Sequence, residues 1–176
     1  MRTIVIALNC VAALAQPAQP AGTLLFTPPP GWQSRPAASS MRVAEFVVPK
    51  VAGDPEDAEV IVYYFGGTGG SVDANIERWL GQMQQPDGSA SRDKAQRRTQ
   101  VVNGLKVSTI DVAGTYVAEL RPGAAERHNK PGFRLVAAVV ETARGPYYIK
   151  ITGPAKTMAA ASADVQRFIA SVRSTP

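Results

Sequence analysis

Arg97-Arg98-Thr99-Gln100-Val101-Val102-Asn103-Gly104-Leu105-Lys106-Val107-Ser108-Thr109-Ile110-Asp111-Val112 is the stretch that decides the fold. Two β-prone runs flank Asn103-Gly104, and Asn-Gly supplies the positive φ that both central residues of a type I′ turn require. Arg97 to Val102 and Leu105 to Val112 therefore read as a hairpin. A second hairpin follows, with Phe133 to Thr142 and Tyr147 to Thr152 joined by Ala143-Arg144-Gly145-Pro146. Connections this short join antiparallel strands only, because a parallel pair needs a crossover of a dozen or more residues.

Upstream of the first hairpin, Met41 to Val48 alternates as a strand, with Arg42, Ala44, Phe46 and Val48 assigned to one face and Met41, Val43, Glu45 and Val47 to the other. Ala58 to Phe65 is apolar on both faces, Ile61, Tyr63 and Phe65 against Val60, Val62 and Tyr64, as in a central strand covered on both sides. Thr23 to Phe26 is a short extended run leading into Thr27-Pro28-Pro29-Pro30-Gly31-Trp32, a stiff edge segment that delivers Trp32 to a fixed place. After Gly66-Gly67-Thr68-Gly69-Gly70, Ser71 can cap a helix in which Val72, Ile76, Trp79, Leu80 and Met83 recur at helical spacing. Trp79 then packs on the sheet with Ile76 and Leu80, while Arg78 lies round the helix, exposed or paired. Residues 86 to 96 and 119 to 132 read as polar, exposed connections, the first of them mobile. Pro154 can open a closing helix whose Met158, Ala161, Val165, Phe168, Ile169 and Val172 form one apolar stripe. The fold class is α+β: an antiparallel β-sheet flanked by helices on both faces.

With 176 residues, 45% of them hydrophobic, the chain suits one domain, expected over 23 to 176. Ahead of it, Arg2, the apolar run Ile4 to Leu14 and Ala13-Leu14-Ala15 have the order of a signal peptide, with cleavage expected after Ala15. Residues 16 to 22 then form a flexible linker. The run is too short to span a bilayer, which takes about 20 apolar residues, so no transmembrane anchor is expected in the mature chain. A lipoprotein signal ending at Cys10 is the less favoured reading, since Asn9 stands where a small residue is expected. A periplasmic or secreted protein without its one cysteine forms no disulfide and has no thiol nucleophile. Taking Arg2 from the 19 Lys and Arg leaves 18 against 14 Asp and Glu, a net charge of +4 spread along the chain. No nucleic-acid partner is expected from that distribution, and the cluster Arg92, Lys94, Arg97 and Arg98 reads as a solvated surface.

Thr27-Pro28-Pro29-Pro30-Gly31-Trp32 and the order of elements that follows it resemble the Mog1/PsbP-like superfamily over about residues 23 to 173. The resemblance implies an α/β/α sandwich around an antiparallel sheet. Members include an oxygen-evolving-complex subunit and a small-GTPase partner, so it also implies a non-enzymatic accessory or binding role. No functional residue carries over. The block Gly69 to Trp79 resembles a segment of uncharacterised exported bacterial proteins, to which no activity attaches.

Catalytic chemistry finds little to work with. Zinc needs three or four converging ligands, and the mature chain offers one histidine, His128, in a charged loop where it reads as exposed. Asp54, Glu56, Asp57 and Glu59 lack the glycine turn and final glutamate of an EF-hand, so a solvated acidic loop is favoured over a calcium site. The glycine segment before Ser71 lacks both the Lys-Ser/Thr of a P-loop and the third glycine of the dinucleotide fingerprint, and Asp73 would repel phosphate. No metal and no cofactor are expected. The leading reading is an exported envelope protein that binds a partner protein without catalysis, through a surface near Trp32, Arg42, Asn75 and Arg78. The alternative is a carboxylate-dependent hydrolase acting on an envelope or extracellular substrate, with residues 86 to 96 and 119 to 132 closing over its site. A third reading is a structural envelope protein that binds nothing specific.

Overall fold

Asn103 and Gly104 take φ of 48° and 81°, the positive values a type I′ turn demands, and the hairpin they close lies at one side of a large antiparallel sheet. The computed structural model describes residues 22–176; the expected leader and cleavage site, Cys10 and most of the expected linker lie outside the described residues. In chain order the elements are β1 (Leu24–Leu25), β2 (Gln33–Arg35), β3 (Arg42–Val48), β4 (Ala58–Tyr64), α1 (Val72–Leu80), β5 (Met83–Gln84) and α2 (Ser91–Lys94). Then follow β6 (Gln96–Val102), β7 (Leu105–Tyr116), β8 (Lys130–Thr142), β9 (Gly145–Pro154), α3 (Ala155–Ala160), α4 (Ser162–Ala170) and β10 (Arg173–Ser174). Eight strands make the main sheet in the order β2-β3-β4-β9-β8-β7, with β5 and β6 both paired to the far side of β7. Every pairing is antiparallel. β1 and β10 form a separate two-stranded ribbon that ties the start of the domain to its end.

Alternation along the strands sorts the core into two clusters. On the first face Val60, Val62, Val107, Ala138, Val140, Ile149 and Ile151 pack with Met158, Val165, Phe168 and Ile169 of α3 and α4. On the second, Ile110, Val112, Leu135, Ala137, Val139 and Tyr148 pack with Ile76, Trp79 and Leu80 of α1. The helical hydrogen bonds run on through Ala161, whose N–H donates to Thr157 O and whose carbonyl accepts from Val165 N–H, so α3 and α4 share one apolar stripe. α1 is shorter. It reaches β7, β8 and Tyr148 of β9, and among the described residues no helix packs extensively over β3 and β4 on that face.

Several local expectations are corrected. A bulge shifts the register from Arg42↔Tyr63 to Ala44↔Val62, so Arg42 joins the face of Glu45 and Tyr63 rather than that of Phe46. Met83 belongs to β5, not to the first helix: it stands one heptad after Ile76 and fills the same cluster, but it is delivered by a strand paired with Tyr116. The polar stretch 86 to 96 contains α2 and is pinned from within, because the buried Ser91 hydroxyl donates to Met83 O and accepts from Gln85 Nε2. Lys130 to Gly132 extend β8 into the connection before it, and Pro154 ends β9 as the N-cap of α3.

Candidate functional site

The uncovered half of the second face is built from alternate residues of three adjacent strands. Val47 of β3 and Ile61 of β4 are buried there without a helix above them. A layer of long polar and aromatic side chains around them takes the helix's place: Arg42, Glu45, Glu59, Tyr63 and Lys150, with Arg78 reaching in from α1. Such side chains can cover apolar surface with their stems while the charged ends stay at the water.

Each is placed by its element. The bulge at Val43 turns Arg42 over the Tyr63 ring, 5.7 Å from its centroid, with a guanidinium nitrogen 3.2 Å from Glu45 Oε1. Tyr63 stacks on Phe65, centroids 5.8 Å apart, and burial pushes its phenol up. Asn75 is buried on α1: its Nδ2 donates to Gly69 O (2.7 Å) and Ser71 O (2.9 Å), and its Oδ1 accepts from Arg78 Nη2 (2.6 Å). Asn75 thus fastens the glycine loop and aims Arg78. Tyr148 fastens the same loop from below, donating to Gly70 O at 3.1 Å, and a Cβ on Gly69 would stand 2.5 Å from its ring.

Lys150 stands in the middle of β9 opposite Ile61, between two buried isoleucines that point to the other face. Its ammonium donates to Gln82 Oε1 at 2.6 Å and Tyr116 Oη at 2.9 Å, and no carboxylate lies within ion-pair distance. Burial pushes this amine down to about 8, Arg78 and Arg42 adding to the effect and Glu59 opposing it. Burial pushes the Tyr116 phenol up to about 12, with Glu59 adding to it. His128 stacks on Tyr116 with centroids 5.3 Å apart, half-buried rather than exposed, and its imidazole is pushed down by burial and then by Lys130. A cleft of about 320 Å³ continues from there, lined by Val47, Glu56, Glu59, Tyr116, His128 and Lys130 among others.

Of the residues singled out by sequence, Arg42, Asn75 and Arg78 come together on this face. Trp32 does not: it packs on the first face, its ring 5.1 Å from Phe168 and 6.2 Å from Phe46. The acidic run is divided among separate partners. Asp54 accepts from the N–H and hydroxyl of Thr157, Asp57 from Lys50 N–H, and Glu56 pairs with Lys130 at 2.6 Å. No group of three or more metal-ligating side chains occurs among the described residues. The basic cluster is largely neutralised, Arg92 and Arg97 by Glu77 and Asp73 of α1 and Lys94 by Asp87. A second cavity, about 470 Å³, lies beside α4 over β6 to β8, with the bidentate Arg134–Asp111 pair in its wall.

Sequence reasoning missed Lys150, Tyr63, Tyr116 and Glu59 as members of one surface. For Lys150 a signal was present: a lysine inside Tyr147-Tyr148-Ile149-Lys150-Ile151, an otherwise apolar strand, has to reach a polar surface or a partner.

No family model matches the chain, and no curated protein is significantly similar to it. Solved structures do share its architecture. LpqN of Mycobacterium tuberculosis, involved in cell envelope biogenesis, superposes with a TM-score of 0.53 at 11% identity, covering 90% of this chain and 87% of LpqN. A Pseudomonas aeruginosa protein of unknown function, PA94, superposes with a TM-score of 0.51 at 12% identity, over 88% of this chain and 99% of its own. The cyanobacterial PsbP (CyanoP) of Synechocystis sp. PCC 6803 gives 0.48 at 11% identity, over 93% and 99%. At such identities the likeness is one of fold. That fold is α+β with a large antiparallel sheet, as the resemblance to the Mog1/PsbP-like superfamily implied. Among the described residues no helix is long and apolar enough to cross a membrane.

Proposed function

We propose that this is an exported cell-envelope protein with a binding or accessory role, which engages a partner protein through the open half of its second face. The observation that carries the reading is the layer of Arg42, Tyr63, Glu59, Arg78 and Lys150 standing where a helix would otherwise cover Val47 and Ile61. A sheet face kept wet by side chains with unused donors is suited to recognition. Export rests on the leader pattern of residues 1 to 15, and the fold shared with LpqN, itself involved in cell envelope biogenesis, is compatible with it.

A carboxylate-dependent hydrolase would need two free carboxylates facing one another. In the cleft Glu56 is held by Lys130 and Asp57 by the backbone of Lys50, which leaves Glu59 without a direct partner and favours binding. The test is cross-linking and affinity capture of the tagged protein from the envelope fraction of its own organism, wild type beside the double variant Arg42→Ala/Arg78→Ala. The expected result is a saturable partner protein retained by the wild type and lost by the variant, from a native chain whose intact mass begins at Gln16. Capture that survives the double substitution, or a native chain that retains residues 1 to 15, overturns the corresponding half of the proposal.

A further inference from the structure

On the open face, three neighbouring side chains keep hydrogen-bond donors that no acceptor among the described residues takes up. An ammonium has three N–H donors, and Lys150 uses two, on Gln82 and Tyr116. A guanidinium has five, and Arg78 spends one on Asn75 and meets no carboxylate. The Tyr63 hydroxyl has no partner among the described residues, and a phenol at neutral pH carries its proton and can donate. Tyr63 faces Tyr148 across the β4–β9 pair and Ile61 faces Lys150, so Tyr63 and Lys150 are diagonal neighbours on one face. Arg78 is close enough to act electrostatically on Tyr63, Tyr148 and Lys150 alike.

The charge count selects the ligand. Arg42, Arg78 and Lys150 oppose Glu45 and Glu59; Glu45 is taken by Arg42, and Glu59 touches neither remaining cation. One positive charge is left over. A singly charged oxyanion neutralises it, whereas a doubly charged one would leave the face net negative. A planar carboxylate also offers acceptors to an ammonium, a guanidinium and a phenol at once.

We infer that Lys150, Arg78 and Tyr63 form a carboxylate-binding subsite, which takes an Asp or Glu side chain or the C-terminus of the partner protein. This deepens the proposed function and rests on it for the partner, though the subsite can be tested alone. The probe is sodium acetate, titrated at constant ionic strength against sodium chloride, with NMR of the Lys150 Cε and Nζ and the Arg78 Nε signals in the intact protein. Saturable shifts at both side chains are expected, weakened about tenfold in Lys150→Gln and in Arg78→Gln, since a charge-assisted hydrogen bond is lost in each. Arg78 is exposed on α1, so its variant folds whatever happens at Lys150. Shifts that do not saturate, or that persist unchanged in both variants, sink the subsite. Inorganic sulfate, a dianion at pH 6.5 where Lys150 is fully charged, is expected to bind more weakly than acetate at the same pH, and tighter binding overturns the assignment to carboxylate. Acetate binding without partner capture removes the partner and keeps the subsite. Capture without acetate binding does the reverse.

Discussion

The two faces of the sheet solve one problem in different ways. On the first, α3 and α4 lay an apolar stripe over β4, β9 and β8, and Phe168 closes the packing with Phe26, Trp32 and Phe46 around it at 5.4, 5.1 and 6.0 Å. On the second, α1 covers half the width, and the rest is sheltered by side chains that remain chemically available. The helix-covered face contributes stability. The open half keeps a lysine out of any ion pair, an arrangement that lowers stability and leaves donors available to a ligand.

The sharpest way to break this contrast is to open the first face. Phe168→Ala removes a fully buried ring and is expected to cost about 3–5 kcal/mol of unfolding free energy, read by urea denaturation. A cost below about 1 kcal/mol would mean that the aromatic group repacks and that this face is no firmer than the other.

A smaller effect comes from Lys150. Its folded amine sits near 8 against an ordinary value of 10.5, so below pH 8 both folded and unfolded chains are protonated and the burial penalty is felt in full. Between about pH 8 and 10 the unfolded chain binds more protons, and stability rises with pH by about 2 kcal/mol relative to Lys150→Met. Above pH 10 the stability of wild type and variant alike falls, because the Tyr116 phenol stays protonated in the folded chain to about 12. Parallel pH profiles for wild type and Lys150→Met would show that the amine is not desolvated and that the open half is ordinary surface.

The smallest effect concerns the boundary between the two regimes. Ser71 Oγ accepts from Ala74 N–H at 3.2 Å and caps α1, so Ser71→Ala is expected to cost about 1 kcal/mol in the same denaturation measurement. It should also loosen Arg78, which α1 carries, and so weaken acetate binding more than Phe168→Ala does in the folded protein. Equal effects on acetate binding would separate the subsite from the helix.

Much of the scaffold was legible in the chain. Asn103-Gly104, the alternation of Ala58 to Tyr64, the Ser71 cap and the stripe from Met158 to Val172 are local signals, and each occurs where its spacing implied. Met83 was misread because periodicity records that a residue is buried, not which element buries it. Residues 86 to 96 are mostly exposed, as their polarity implied, but the short helix α2 and the buried anchor Ser91 were missed, because Ser91 takes its partners, Met83 O and Gln85 Nε2, from outside the stretch. For the candidate site, Arg42 and Arg78 were marked, but Arg42 on the wrong face, and Trp32 was grouped with residues from which the sheet separates it.

By itself, then, the sequence determined the antiparallel hairpins and the two main helical stretches, because turn chemistry, capping and alternation act over a few residues. Only the tertiary structure decided which charges meet. Arg42, Arg78 and Lys150 come from β3, α1 and β9, and they share a surface through a one-residue bulge, a helix too short to cover its face, and the register of β4 against β9. Electrostatic company of this kind is a matter of distance through space, and no stretch of the chain contains it.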